Sequence, residues 1–349
     1  MFVIRPAILD DLATLLKLAK MVHFINLPAD KDLLAGKISR SRRSFAGDVD
    51  DIREREFMFV LEDGESNEVV GTCSILCCVS WEGRPHIYLK AGRRSFYSED
   101  LQLGQTHTTL ELGTDTSGPS EVGGLILAPG FRGHPDRLGS LLSLIRFHFI
   151  GLHRDMFAER ILAEMMGPLT PDSGTLLWEY LGRRFINLSY KEADLFSSRS
   201  KEFLLSLWPK GEIYASLLPP EARALIGKVG EETEPAKRML EKQGFKYQGH
   251  VDPFDGGPYL DVRIDEVPLV KATTSMRAVA GIPAGGGEGF ISHKGRGGFR
   301  ATRSAYAIEG GRLVLPVEAL EAIGAAPDAT VGFTPLPESR SKPRRAKKN

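Results

Sequence analysis

The chain has 349 residues, enough for one large core or for two to three domains of about 100–200 residues each. It is 42% hydrophobic and 26% charged, with 45 basic and 45 acidic residues. That balance gives no electrostatic footprint for nucleic acid or a membrane surface as the main partner. No apolar run approaches the roughly 18–20 residues needed to cross a bilayer, because the longest candidate, Leu138–Leu152, carries Arg146 and His148. Met1–Asp10 lacks a basic segment followed by an apolar one, so no secretory signal is expected. Cys73, Cys77 and Cys78 share one apolar, strand-like stretch and cannot form a disulfide framework; buried thiols in a reducing cytoplasm are expected.

In chain order, Phe2–Arg5 reads as a short strand. Asp10 or Asp11 is placed to cap a helix whose stripe is Leu12, Leu15, Leu16, Ala19 and Val22. Lys31–Phe45 reads as a second helix. Glu56–Leu61 and Glu68–Val79 read as a hairpin turning at Asp63-Gly64. Residues 80–118 look irregular with scattered strand signals. Glu121–Leu127 is an apolar strand ended by Pro129-Gly130, then a loop rich in Gly, Arg and Asp, then a helix with Leu138, Leu141, Leu142, Ile145 and Phe149 on one face. Arg160–Met165 reads as a strand, Leu176–Leu181 as helix and Arg184–Leu188 as extended. Residues 200–249 look mainly helical, with Pro235–Gln243 ending at Gly244 and Phe245–Tyr247 extended after it. Helix, glycine, aromatic, extended thus recurs at 176–188 and 236–249, a weak internal echo. Asp252–Gly257 is a turn and Tyr259–Ile264 a strand. Residues 271–289, rich in Gly, Ala and Pro, are expected to be a linker or mobile loop. A small β-rich module with one helix at Val317–Ile323 follows, over residues 290–338. The basic tail, residues 339–349, is expected to be disordered.

The order strand, helix, hairpin, strand, basic glycine loop, helix, strand, helix, strand resembles that of the GNAT acyltransferases. The expected fold is α+β: a mixed, mainly antiparallel sheet flanked by helices over residues 1–270, with the β-rich module beyond. The chemistry is consistent with that order. An acyl-CoA carries a pyrophosphate, which a helix N-terminus attracts through its free N–H groups and dipole. Leu127–Ser140 offers such a turn, with Arg132, Arg137, Gly139 and Ser140 as candidates for gripping phosphate. The pantetheine arm would add to the open edge of the Glu121–Leu127 strand. A solvated strand–helix connection would explain the loop equally well when it is taken alone.

Ordered matches along nearly the whole chain are more specific. They include Phe2-Val-Ile-Arg-Pro6, Phe59-Val-Leu-Glu-Asp63, Ser120-Glu-Val-Gly-Gly-Leu-Ile-Leu-Ala-Pro129, Ala163-Glu-Met165, Leu181-Gly-Arg-Arg-Phe185, Ala193-Asp194, Leu240-Glu-Lys-Gln-Gly-Phe-Lys-Tyr247 and Phe254-Asp-Gly-Gly-Pro258. Through these the chain resembles the arginine N-succinyltransferases. The resemblance implies transfer of a succinyl group from succinyl-CoA to the α-amine of arginine or ornithine, within arginine degradation. It implies succinyl-CoA or another acyl-CoA as co-substrate, with no permanently bound cofactor. It also implies an oligomer with itself or a related subunit, and places Leu125 where the family contacts succinyl-CoA. There are two departures. Gly230 stands where the family has its proposed catalytic histidine, and a glycine cannot exchange a proton through a side chain. The glycine loop is longer and holds His134-Pro135.

A modest base is enough to deprotonate an α-amine, whose pKa is about 8. Glu121, at the start of the central strand, and Glu231, beside the lost histidine, are the candidates. A guanidinium would pair with carboxylates, and Glu164, Asp252 and Asp255 are the candidates there, although Asp252 and Asp255 also suit plain turn chemistry beside Gly256-Gly257. Arg183, Arg184 or Lys201 could meet a succinyl carboxylate. His250 is the histidine nearest the Asp252 loop. The eight histidines show no metal-binding spacing, and no metal is expected. The alternatives are an acyltransferase with another amine or acyl donor, and a non-catalytic subunit. A third, drawn from Gly311-Arg-Leu-Val-Leu-Pro316, is a swapped-hairpin DNA-binding module; nucleic acid and membrane are otherwise not expected as partners.

Overall fold

A computed structural model describes residues 1–21, 29–197 and 199–337. Val22 and the basic tail at 339–349 lie outside the described residues. The first half is built from β1 (Phe2–Pro6), α1 (Leu12–Met21), α2 (Lys31–Ala46), β2 (Glu56–Asp63), β3 (Val69–Leu76), β4 (His86–Ser98), β5 (Leu103–Asp115), β6 (Ser120–Leu127), α3 (Leu138–Leu152) and β7 (Arg160–Glu164). Then come α4 (Arg183–Phe185), α5 (Tyr190–Ser197), α6 (Glu202–Leu207), β8 (Ile213–Tyr214), α7 (Pro220–Arg223), α8 (Glu234–Lys242), β9 (Lys246–Val251) and β10 (Pro258–Arg263). The chain closes with α9 (Pro268–Ala272), β11 (Thr274–Ala280), β12 (Gly287–Gly295), β13 (Gly298–Glu309), β14 (Arg312–Leu315), α10 (Val317–Ile323) and β15 (Thr330–Pro335).

The strands run β12-β15-β11-β14-β13-β1-β2-β3-β6-β7-β10-β9-β4-β5-β8 across one continuous sheet. Its pairs are antiparallel except β6–β7 and β11–β14. The mixed, mainly antiparallel sheet expected from the element order is therefore present. Helices cover both faces. α3 packs Leu142, Ile145 and Phe149 onto Phe57, Phe59 and Ile75. On the opposite face α1 and α2 bury Leu15, Leu18, Leu34 and Ile38 against Met58, Val60 and Ile126. A second core, centred on Trp178, Trp208 and Leu204, packs the 176–222 helices onto Ile87, Leu89 and Leu110.

Several local expectations are corrected. Residues 80–118 are not irregular: β4 and β5 pair from His86↔Asp115 to Ser98↔Leu103 as one long hairpin. Its outer half is largely exposed, so it lacks the apolar alternation that marks a half-buried strand. Arg184–Leu188 is not a strand, since Arg183–Phe185 continues the preceding helix, and the internal echo falls with it. Asp11 does not cap α1. It closes a short 3₁₀ turn, accepting the Ile8 N–H at 2.8 Å and the Arg5 guanidinium at 2.8 Å. Residues 271–289 are not a bare linker: they hold the end of α9 and all of β11, which pairs with β14 and β15. The C-terminal module is also joined to the main sheet, through Ile4↔Ala301. Its helix lies at Val317–Ile323, where the sequence placed it.

Candidate active site

The site forms where β6 and β7 part. These two strands pair in parallel only at Ser120↔Ile161 and Glu121↔Leu162. Beyond that point β6 keeps its other neighbour, β3, but its edge toward β7 opens. A bulge sets which side chains face which way. Thr72 pairs with Ile126, yet Ser74 pairs with Gly123, so Gly124 and Leu125 together oppose Cys73. Gly124 has φ +59°, and a Cβ there would lie 2.8 Å from Ser74 Oγ. The extra residue flips the alternation. Val122, Leu125 and Leu127 pack on the α3 side, whereas Ile126 packs on the α1–α2 side. Glu121, one residue before Val122, is left facing the cleft on the α1–α2 side.

That cleft has a volume of about 960 Å³. Its floor is Glu121, Gly123, Gly124, Glu164, His86 and Ser74; α1 and α2 contribute Lys20, Lys37 and Arg40, and the 190–201 segment contributes Tyr190, Asp194 and Lys201. Lys37 is pinned by the buried Glu56 carboxylate at 2.9 Å. His86 Nε2 lies 2.7 Å from Glu164 Oε1, and the His86 ring sits 4.9 Å from that of Tyr259. The Tyr259 hydroxyl in turn donates to Asp252 at 2.7 Å. The two floor carboxylates are pushed apart in acidity. Burial and the nearby Glu164 charge push Glu121 up to about 8. Burial also acts to raise Glu164, but the His86 hydrogen bond and charge outweigh it and hold Glu164 below the usual carboxylate range. A pair of carboxylates split this way is the environment in which one takes up a proton while the other stays ionised.

The residues picked out by the sequence divide. Glu121 and Glu164 meet at the cleft floor, and Lys201 lines it. Asp252 does not line the cleft: Oδ1 accepts the Phe254 and Asp255 N–H groups and Oδ2 the Tyr259 hydroxyl. Asp255 holds the backbone, accepting from Gly257 and Gly167, with Gly256 at φ +75°. Glu231 is exposed in the turn before α8. Gly230 donates to the Met166 carbonyl at 3.0 Å and is also away from the cleft wall. Arg183 is tied to Glu179 on the surface at 2.7 Å, and His250 stacks on Tyr88 at 3.9 Å. Cys73 in β3 and Cys77 just after its end are buried thiols, pushed up to about 12 by burial. On the α3 side, Arg137 takes a left-handed conformation (φ 50°) at the helix start, directly before Leu138, Gly139 and Ser140. Arg132 and Arg137 are exposed beside it, with Arg132 3.5 Å from Glu232. Sequence reasoning missed His86, Tyr190 and Asp194 as site residues. His86 lies in the stretch whose pattern reads as irregular. Ala193-Asp194 carries a family match but no signal of its own for a role.

Among the described residues no helix is long and apolar enough to cross a membrane. The family model described as "Arginine N-succinyltransferase beta subunit" matches residues 2–269. Two relatives named arginine N-succinyltransferase are close in sequence. One from Enterobacter sp. (strain 638) is 37% identical over 289 residues, covering 82% of this chain and 83% of its own. One from Salmonella paratyphi B is 35% identical over 328 residues, covering 93% and 94%. Among solved structures, arginine/ornithine succinyltransferase subunit AI from Pseudomonas aeruginosa superposes with a TM-score of 0.83 at 27% identity, covering 97% of this chain and 99% of that one. With the family model spanning most of the chain, and the split carboxylates set where its central strands diverge, the chain belongs to the arginine N-succinyltransferase family.

Proposed function

We propose that this protein transfers the succinyl group of succinyl-CoA to the α-amine of L-arginine, or of ornithine, releasing CoA and the N2-succinyl amino acid within arginine catabolism. The single observation that carries this reading is Glu121 at the floor of a wide cleft, where β6 and β7 separate. The pyrophosphate would lie at the α3 N-terminus between Arg132 and Arg137, near the N–H groups of Gly139 and Ser140. The pantetheine arm would run along the freed edge of β6 at Leu125 and Leu127. The thioester would then reach the bulge, with the amine entering from the cleft.

In the reaction the amine nitrogen attacks the thioester carbon, a C–N bond forms, and the C–S bond breaks with its electron pair leaving on sulfur. The amine gives up one proton and the departing CoA thiolate takes one up. Glu121 is the proposed acceptor of the amine proton. Its raised affinity for protons suits a base working near neutral pH. Glu164, kept ionised by His86, provides negative potential that favours a cationic amino acid. Lys201, which has no ion pair among the described residues, is the proposed partner of the succinyl carboxylate. This assignment does not depend on Gly230. The reading extends to an oligomer, supported by the word "subunit" in the names of the matching family and structure.

The test is to mix the protein with succinyl-CoA and arginine or ornithine, follow free thiol, and weigh the product. Amine-dependent thiol release with a succinylated amino acid is the expected result. Absence of turnover with any amine, together with no calorimetric affinity for CoA thioesters, overturns it. Thioester binding without turnover would instead favour a non-catalytic subunit.

A further inference from the structure

The geometry points to a guanidinium subsite formed by Tyr190 and Asp194 on one face of α5, separate from the catalytic carboxylates; this assignment rests on the function proposed above. Tyr190 and Asp194 are four residues apart in α5 (Tyr190–Ser197), so their side chains lie one above the other on the same helical face. Both line the cleft.

Two independent observations mark the pair as waiting for a ligand. The Tyr190 side chain is only 5% exposed, and its hydroxyl has no hydrogen-bond partner among the described residues. A buried hydroxyl left unpaired costs about 1–3 kcal/mol, so a partner is expected when the site is filled. The Asp194 carboxylate has neither a hydrogen bond nor an ion pair among the described residues, although it is partly buried. Burial and the neighbouring Asp252 charge raise it to about 7, against the opposing pull of the Lys201 charge. Apart from Glu121, the proposed base, the other carboxylates nearby are already engaged. Asp252 and Asp255 accept internal donors on both oxygens, and Glu164 is held by His86.

The chemistry of the pair selects its ligand. A planar guanidinium donates two parallel N–H bonds to a carboxylate and has further N–H groups for a hydroxyl acceptor. An ammonium on a shorter stem, as in ornithine, satisfies Asp194 less completely, and a neutral ureido group of the same shape, as in citrulline, brings no charge. The subsite therefore sets preference for the far end of the substrate's side chain, while Glu121 acts on its α-amine.

The experiment compares wild type, Asp194→Asn and Tyr190→Phe by thiol release with arginine, ornithine and citrulline under saturating succinyl-CoA. In Asp194→Asn, KM for arginine is expected to rise on the order of 10- to 100-fold, kcat to stay within a few-fold, and the preference for arginine over citrulline to shrink in proportion. Tyr190→Phe should lose several-fold in the same direction. Unchanged affinity for the CoA thioester serves as the control for folding. An arginine KM within twofold of wild type in Asp194→Asn, or an equal loss on arginine and citrulline, overturns the assignment. Calorimetric titration with L-arginine alone separates this from the catalytic reading. Binding that Asp194→Asn weakens supports the subsite even where no turnover is found, and binding that it leaves unchanged sinks the subsite even where turnover is found.

Discussion

His86 Nε2 sits 2.7 Å from Glu164 Oε1, joining two residues 78 apart in sequence. Their strands are not neighbours: β10 and β9 lie between β7 and β4. The bond ties the long hairpin to the central strands and holds Glu164 ionised, against the effect of its own burial.

Replacing His86 by Ala should therefore cost stability, about 1–3 kcal/mol at pH 7. Glu164 titrates below its ordinary value of 4.5 in the fold. The unfolded chain then binds more protons in that window, and the contribution is present above about pH 4.5 and lost as pH falls through the folded value. Urea titrations at pH 7 and pH 3 should show a penalty for His86→Ala that shrinks at the acid end. A penalty equal at both pH values would mean that the bond does not govern Glu164.

Glu121 has the opposite linkage. Its folded pKa is raised from 4.5 to about 8, so the native state holds the proton longer than the unfolded state. Stability attributable to this group is greatest below pH 4.5 and declines as pH rises toward 8. Glu121→Gln should remove that decline and be more stable than wild type at pH 8. Its kcat should fall about 10²- to 10⁴-fold, the usual contribution of a general base. The wild-type rate should climb with pH as Glu121 ionises, and the variant's profile should lack that limb. A variant with full activity removes Glu121 from the chemistry.

Gly124 is expected to tolerate no side chain. Its φ is +59°, and an added Cβ would stand 2.8 Å from Ser74 Oγ, so an alanine is both strained and crowded. Gly124→Ala should cost roughly 1–3 kcal/mol. It should also raise KM for the acyl-CoA, because the bulge decides which face Leu125 and Leu127 occupy. Thermal melts and steady-state kinetics together read both effects; a change in neither would show that the bulge is not needed.

Arg132→Ala and Arg137→Ala should weaken succinyl-CoA binding while leaving kcat nearly unchanged. Both side chains are exposed beside the start of α3, so their attraction to phosphate is screened by salt. Wild-type KM for the thioester should rise between 50 and 500 mM salt, on the order of several-fold, and less steeply in the variants. A salt-independent KM in wild type would place the pyrophosphate elsewhere.

Much of the framework was legible because its signals are local. Leu138–Leu152 showed its helix through one apolar stripe, and Asp63-Gly64 marked the first hairpin by turn chemistry. The Glu121–Leu127 strand and the loop after it were readable for the same reason. The β4–β5 hairpin was not, because an arm that is largely exposed carries no apolar alternation to betray it. Residues 271–289 misled through composition: glycine and alanine suggested a linker, but Thr274–Ala280 is a strand held by partners that come later in the chain.

By itself the sequence determined the first hairpin, the strand bearing Glu121, the basic turn before α3, and family kinship through ordered motifs. These depend on residues close together in the chain, whose periodicity and turn preferences act without distant help. The tertiary structure alone decided that Glu164 belongs with His86, that Asp252 and Asp255 look inward, and that Tyr190 and Asp194 face the cleft without partners among the described residues. It also placed the flip in alternation at Gly124, which turns Glu121 into the cleft. Each of these depends on which groups desolvate and pair across strands far apart in sequence. Burial and long-range hydrogen bonds set such environments, and neither exists until the sheet has closed around them.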